Sequence, residues 1–287
     1  MVPIRGHGVP GIPREPGKGI MKSQASAELE FIERFLKRVS GYVVEKWEAR
    51  HLVTVTSKGD PADLLTEVDL TVQKRFADAL NQAYPDDALV AEEGTLNQMP
   101  DSPDGRAWVM DPIDGTYNFV RGMRPIFGVS IAFLEGGETQ CAGVMFPLDH
   151  QCYLAMRNGG AWCNGRPLHV SDIQQLEEAC VEIDFSVMED RQLFMKRASL
   201  IMLRAGQIRC CGAAVGGICQ VAAGETEAYI HMTLHPWDYA AAQLIAEEAG
   251  GMATRLDGSP LRVFDRKQGV LISNGAVHRE ILAIIRP

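Results

Sequence analysis

The sequence contains no apolar run approaching the roughly 18 residues that a membrane span needs. Lysine and arginine never cluster: 28 basic residues are spread among 37 acidic ones, for a net charge of −9. An anionic membrane surface or a nucleic-acid polymer is therefore not the expected partner. The seven cysteines are odd in number and form no C-x-x-C pair, which excludes a disulfide framework and a zinc site. Cys210 and Cys211, adjacent in an apolar stretch, read as buried thiols, and a reducing cytoplasm is the expected compartment. No repeat of fixed period is present.

What remains is ordinary globular composition over 287 residues, 46% hydrophobic and 23% charged. The first 19 residues are rich in Gly, Pro and Arg and lack an apolar signal core. Residues 1–22 are thus expected to form a disordered leader outside the fold. Apolar residues at helical spacing predict helices over 26–47 and 67–83, the second stopped by Tyr84-Pro85. Short apolar strands are predicted at 88–91 and 107–110, the latter delivering Asp111 to a loop. A meander of strands follows at 128–134, 140–146 and 151–156, with turn residues between them. This first half is expected to be antiparallel sheet. From about residue 180 helix and strand alternate: helices over 190–205 and 215–223, one from Trp237 to Gly250, and one from Val277. Strands are predicted at 207–211, 227–232, 252–255 and 270–273. The expected division is 23–180 and 181–287, without a flexible linker, so the two halves pack as one body.

Acidic residues recur at the ends of these elements. Asp111-Pro-Ile-Asp-Gly-Thr116 closes a buried strand with two carboxylates three residues apart, Pro112 fixing the bend and Gly115 allowing close backbone approach. Two carboxylates held together repel unless a cation lies between them, which fits a hard-metal site. A D-G-T turn can equally cap a helix or loop. Glu92 and Glu93 follow another strand, Asp69 opens a helix, and Asp238 opens the Ala-rich helix after Trp237, where it also suits an N-cap. Four acidic sites at element ends are a usual way to converge oxygen ligands on divalent ions.

DPIDGTYNF at 111–119 and WDYAAAQLIAEEAGG at 237–251 resemble the two signature motifs of the inositol monophosphatase family. SKGDPADLLTEVD (57–69) and AEE (91–93) fall where that family has its other acidic motifs. The resemblance runs from about residue 26 to the C-terminus. It implies an α+β fold, a layered α/β/α/β/α sandwich with antiparallel sheet in the first half and mixed sheet in the second, assembled as a homodimer. It also implies a lithium-sensitive, Mg²⁺-dependent phosphomonoesterase using two or three ions. Glu92, Asp111 and the Ile113 carbonyl would hold the first Mg²⁺. Asp111, Asp114 and Asp238 would hold the second, and Glu92 would share a loosely bound third. Thr116, hydrogen-bonded to Asp69, would orient and deprotonate the attacking water. The Gly115 and Thr116 N–H groups would contact phosphate, with Glu93 and Lys58 supporting the site.

This assignment is chemically coherent. A phosphate monoester dianion repels hydroxide, so cations must neutralise charge, generate the nucleophile and stabilise the leaving oxygen. Thr alone is a poor base but can relay a proton to Asp69. Other routes lack their residues: the paired acids are D-x-x-D rather than D-x-D, and neither C-x-x-x-x-x-R nor G-x-x-x-x-G-K-[ST] occurs.

Substrate choice is expected in the second half. Gly212, Ala213 and Ala214 match a family segment that lines the substrate alcohol, and Asp114 would reach a hydroxyl of the same group. His231 stands where inositol phosphatases usually carry a Glu, and Ala91 where they carry Gly. The expected substrate is inositol monophosphate or a related polyol or sugar phosphate. The alternatives are a 3′(2′),5′-bisphosphate nucleotide, histidinol phosphate, or a non-catalytic regulatory role on the same fold.

Overall fold

The structure, a computed structural model, describes residues 26–59, 63–94, 105–123, 126–185, 188–265 and 267–285. The expected leader and residues 60–62 of the acidic segment lie outside them. Helix α1 (Ala27–Glu48) begins where Ser26 Oγ accepts the Leu29 N–H at 3.2 Å. A two-stranded hairpin, β1 (Val55–Ser57) and β2 (Leu64–Thr66), leads into α2 (Glu67–Ala83). Then come β3 (Ala88–Ala91), β4 (Arg106–Asp114), α3 (Thr116–Arg121), β5 (Gly128–Glu135), β6 (Glu138–Phe146), β7 (Gln151–Met156), β8 (Gly160–Cys163) and β9 (Arg166–Pro167). The second half runs β10 (Cys180–Asp184), α4 (Met188–Met202), β11 (Gln207–Arg209), α5 (Ala214–Ala222), β12 (Ala228–Leu234), α6 (Pro236–Glu248), β13 (Met252–Thr254), β14 (Gln268–Ser273) and α7 (His278–Ile285).

Strands β3 to β9 form one sheet in sequence order. Every neighbouring pair is antiparallel except β3 and β4, which are parallel. That exception corrects the antiparallel expectation and has a consequence: β3 and β4 bring Glu92 and Asp111 out at the same edge. The second sheet, ordered β11-β10-β12-β14-β13, is mixed, with β10 parallel to both neighbours.

Helices α1 and α2 cover one face of the first sheet, α5 and α6 lie between the sheets, and α4 and α7 cover the far face of the second. Side chains alternate accordingly. Trp108 and Met110 of β4 join the α1/α2 core, while Ala107 and Val109 join the α5/α6 core. Close packing of α1 on β6 requires Gly143, where a Cβ would lie 2.6 Å from Ile32 Cγ2. Helix α6 is buried nearly all round because a sheet lies on either side, which is why its apolar residues exceed a single stripe.

Two expectations are corrected. Strand β4 does not stop at Met110 but continues through Asp114, with Asp111 opposite Ser130 and Asp114 opposite Gly128. Three steps on β4 match two on β5, a bulge at Pro112-Ile113, where proline has no N–H for the ladder. Cys210 is exposed and Cys211 half-buried, because β11 is an edge strand that ends at Arg209. Among the described residues no helix is long and apolar enough to cross a membrane.

Candidate active site

The bulge turns the end of β4 into the floor of a cleft lined by Glu92, Asp111, Ile113, Asp114, Gly115, Thr116, Gly212 and Asp238. It opens into a wider cleft whose walls include Lys58, Ala213, Ala214 and His231. The fold thus brings the acidic residues of the first half against the substrate-side residues of the second. Asp69 and Glu93 stand just behind this surface.

Asp69 and Asp238 reach the site in the same way. Each is the third residue of a helix, and each carboxylate turns back to the residue before that helix. Asp69 Oδ2 accepts the Thr66 N–H at 2.9 Å, and the Thr66 hydroxyl as well. Asp238 Oδ2 accepts the His235 N–H at 2.8 Å, so the N-cap of α6 is His235 and not Asp238 itself. In both, one oxygen fixes the carboxylate against the helix start. For Asp69 the second oxygen lies 3.1 Å from Thr116 Oγ1, which is also 2.8 Å from the Ile113 carbonyl oxygen. Burial pushes the Asp69 carboxyl up to about 6, against the opposing pull of its hydrogen bonds from Thr66.

Asp111 Oδ1 accepts the Ile113 N–H at 2.9 Å within the bulge. Asp114 crosses to the second half, where its carboxylate accepts the Val215 N–H at 2.9 Å and the Ala214 N–H at 3.3 Å in the first turn of α5. Asp111 and Asp114 are only 2% and 8% exposed, whereas Glu92 and Asp238 are half-buried. Burial, with repulsion from Glu92 and Asp114, holds the Asp111 and Asp238 carboxyls well above the ordinary range. Burial raises Asp114 to about 7 despite its two N–H donors.

The donor set is oxygen throughout, and crowded acids of this kind are stabilised as anions by a hard divalent cation, so these residues fit Mg²⁺. Among the described residues no three acidic, cysteine or histidine side chains close on one point in ligand geometry. The local cation is instead Lys58, whose ammonium lies 2.6 Å from both Glu92 and Glu93. Burial opposes the charge on Lys58, and the two glutamates outweigh it, so its pKa is raised. Burial next to Glu92 pushes Glu93 up to about 7.

Several residues that shape the site carry no sequence signal of their own. Gln73, one turn beyond Asp69 on α2, pins the Glu92-Glu93 segment by donating to the Glu93 carbonyl at 2.8 Å and accepting its N–H at 3.0 Å. Asn118 Nδ2 donates to the Ile126 carbonyl at 2.8 Å and to the Cys211 carbonyl at 2.9 Å, tying α3 to the Gly212 loop. Asp184 and Tyr229 also line the wider cleft. Only the helical spacing of Gln73 from Asp69 offered a clue.

With this geometry the comparisons are specific. The inositol monophosphatase family matches residues 26–287, and the chain belongs to it. It is 32% identical over 257 residues to the fructose-1,6-bisphosphatase/inositol-1-monophosphatase of Thermotoga maritima, covering 90% of this chain and 95% of that protein. It is 36% identical over 246 residues to the Nus factor SuhB of Pseudomonas aeruginosa, covering 84% and 89%. A crystal structure of an IMPase/NADP phosphatase complexed with Mg²⁺ and phosphate superposes with a TM-score of 0.79 at 28% identity, covering 90% of this chain and 96% of that one.

Proposed function

We propose that this protein is a Mg²⁺-dependent phosphomonoesterase that hydrolyses inositol monophosphate or a related polyol or sugar phosphate by attack of water at phosphorus. The observation that carries this reading is the Thr116–Asp69 pair set at the edge of a cleft floored by Asp111, Asp114, Glu92 and Asp238. Glu92, Asp111 and the Ile113 carbonyl would hold one Mg²⁺, and Asp111, Asp114 and Asp238 a second, with Glu92 shared by a looser third. Bound there, Mg²⁺ supplies charge neutralisation, a more acidic water and stabilisation of the leaving oxygen.

The rest of the chemistry belongs to the chain. Thr116 Oγ1 accepts from the water, and its own proton moves toward Asp69 Oδ1, so the pair orients the nucleophile and receives its proton. Gly115 precedes α3 and Thr116 is its first residue, where N–H groups have no partner four residues back, and the two N–H groups would face the phosphate. Asp114, Gly212, Ala213, Ala214 and His231 would surround the leaving alcohol, while Lys58 and Glu93 support Glu92. Phosphate released from a panel of monoesters, with Mg²⁺ and with chelator, tests the reading. Turnover indifferent to chelator would sink it.

The similarity to a protein named a Nus factor supports a second reading, a regulatory binding role on the same fold. Absence of Mg²⁺-dependent turnover on every ester would favour it. A homodimer in a reducing cytoplasm is the setting that goes with the first reading.

A further inference from the structure

His231 stands where the family resemblance leads one to expect an accepting carboxylate. Its Nδ1 accepts the Thr233 N–H at 3.1 Å. A neutral imidazole carries one acceptor nitrogen and one donor. With Nδ1 used in this way, the ring proton lies on Nε2 and His231 can offer a ligand only a donor.

A carboxylate stands beside it. Asp184 on β10 is in register with His231 on the parallel strand β12. In-register residues on adjacent strands, about 4.8 Å apart, project from the same face. Asp184 lines the same cleft as Ala213, Ala214 and His231. It is 4% exposed and firmly held: Oδ1 accepts the Gly212 N–H at 2.9 Å, and Oδ2 has the Tyr229 hydroxyl at a longer 3.4 Å. Burial raises the Asp184 carboxyl above the ordinary range, opposed by the Gly212 N–H, the Cys210 thiol, the Cys211 N–H and the Tyr229 hydroxyl, which favour its charged form. Behind it on the same strand face, Glu182 is fully buried. Burial, and then repulsion from Asp184, pushes Glu182 up to about 8, which leaves Asp184, nearer the cleft, as the acceptor of this wall.

We propose that Asp184 is the specificity residue of this phosphatase, accepting a hydrogen bond from a hydroxyl of a polyol leaving group. The inference rests on the phosphomonoesterase reading above. It extends it by placing the acceptor on β10 rather than β12.

The test uses two esters of one ring, inositol 1-phosphate and cyclohexyl phosphate, which lacks every free hydroxyl. Asp184→Asn keeps an oxygen for the Gly212 N–H but replaces the charged acceptor by a neutral amide. Losing a charged acceptor to a hydroxyl lowers kcat/KM by roughly tenfold to a hundredfold. That loss is expected for inositol 1-phosphate, mostly in KM, with cyclohexyl phosphate unaffected. Asp184→Ser, which retains only a small acceptor for Gly212, is expected to show the same selectivity. An equal loss on both esters would mean that Asp184 only positions the Gly212 loop, and an unchanged ratio that it lies outside the hydroxyl's reach. Either overturns the proposal. The unaltered protein separates this from the reading beneath it: Mg²⁺-dependent turnover with no preference for inositol 1-phosphate overturns the specificity assignment alone, and no turnover of either ester overturns both.

Discussion

Thr116 Oγ1 lies between two acceptors, 3.1 Å from Asp69 Oδ1 and 2.8 Å from the Ile113 carbonyl oxygen, and has a single proton to give. In the proposed reaction the Asp69 partnership would deliver proton-accepting power to the cleft, and only when Asp69 is ionised. Asp69→Asn and Thr116→Val are each expected to lower kcat by roughly a hundredfold to ten-thousandfold, with KM little changed. Asp69→Asn can still accept the Thr66 N–H, so α2 should keep its cap. The Asp69 carboxyl sits at about 6 without metal, and bound cations lower it. Turnover should therefore rise with pH through a value at or below about 6, and that limb should flatten in Asp69→Asn. Steady-state kcat across pH 4.5 to 8 is the measurement. A Thr116→Val protein at full speed would remove the pair from the mechanism.

The crowded acids also predict how stability depends on pH and metal. Asp114 is raised from 3.8 to about 7, and Asp111 and Asp238 are raised with it, chiefly by burial. Between about pH 4 and 7 the fold thus retains protons that the unfolded chain has released. The stability gained is fully present below the ordinary carboxylate range and is lost as pH rises through about 7. Each excess proton gives a slope of about 1.4 kcal/mol per pH unit. Without metal, Tm should fall by several degrees from pH 5 to pH 8, since ~1 kcal/mol is about 2–4 °C for a chain of this size. Mg²⁺ should raise Tm more at pH 8 than at pH 5. In Asp114→Asn metal-free Tm at pH 8 should rise, the Mg²⁺ shift should shrink, and turnover should drop by orders of magnitude. Thermal melts at both pH values, with and without Mg²⁺, decide it.

Most of the elements were legible from periodicity, and α2, β3 and β7 carry the predicted bounds because each is long or clearly punctuated, whereas their layering came from the family resemblance. The hairpin β1–β2 and the six-residue α3 were not, since three-residue strands and a single helical turn are too short to show a period. The acids that line the cleft were legible because they occupy the ends of elements. Asp184, Gln73 and Asn118 act through contacts that span 28, 20 and 93 residues of chain, and no local pattern announces such partners. The bulge in β4 escaped for a related reason, as its extra residue is defined only against β5.

Gly115 is a point of close approach between the two halves at the cleft. Its φ is +84°, and a Cβ there would lie 2.9 Å from Ala213 Cβ and 3.0 Å from the Ile126 carbonyl oxygen. Both the left-handed backbone and the contact disfavour any side chain. Gly115→Ala should cost about 1–3 kcal/mol of stability. Because Asp114 and Thr116 flank the position, turnover should fall more than the loss of folded protein explains. Denaturant melts paired with kcat per folded molecule test this, and a variant with unchanged melts and kcat would show that the contact relaxes freely.

Lithium distinguishes the cations by charge. The second cation would sit among Asp111, Asp114 and Asp238, where its task is to stabilise the leaving oxygen and then release phosphate. A monovalent ion of similar size held by these carboxylates would bring half the charge and would stabilise that oxygen less well. Na⁺, being larger, would fit a site suited to Mg²⁺ less well. LiCl titrated against turnover at fixed Mg²⁺ should therefore depress kcat well beyond NaCl at equal ionic strength. In the same experiment, raising Mg²⁺ should restore activity where the two ions compete for one place. If both salts act alike, the site discriminates only ionic strength, and the acids of β4 and α6 do not form a selective second cation site.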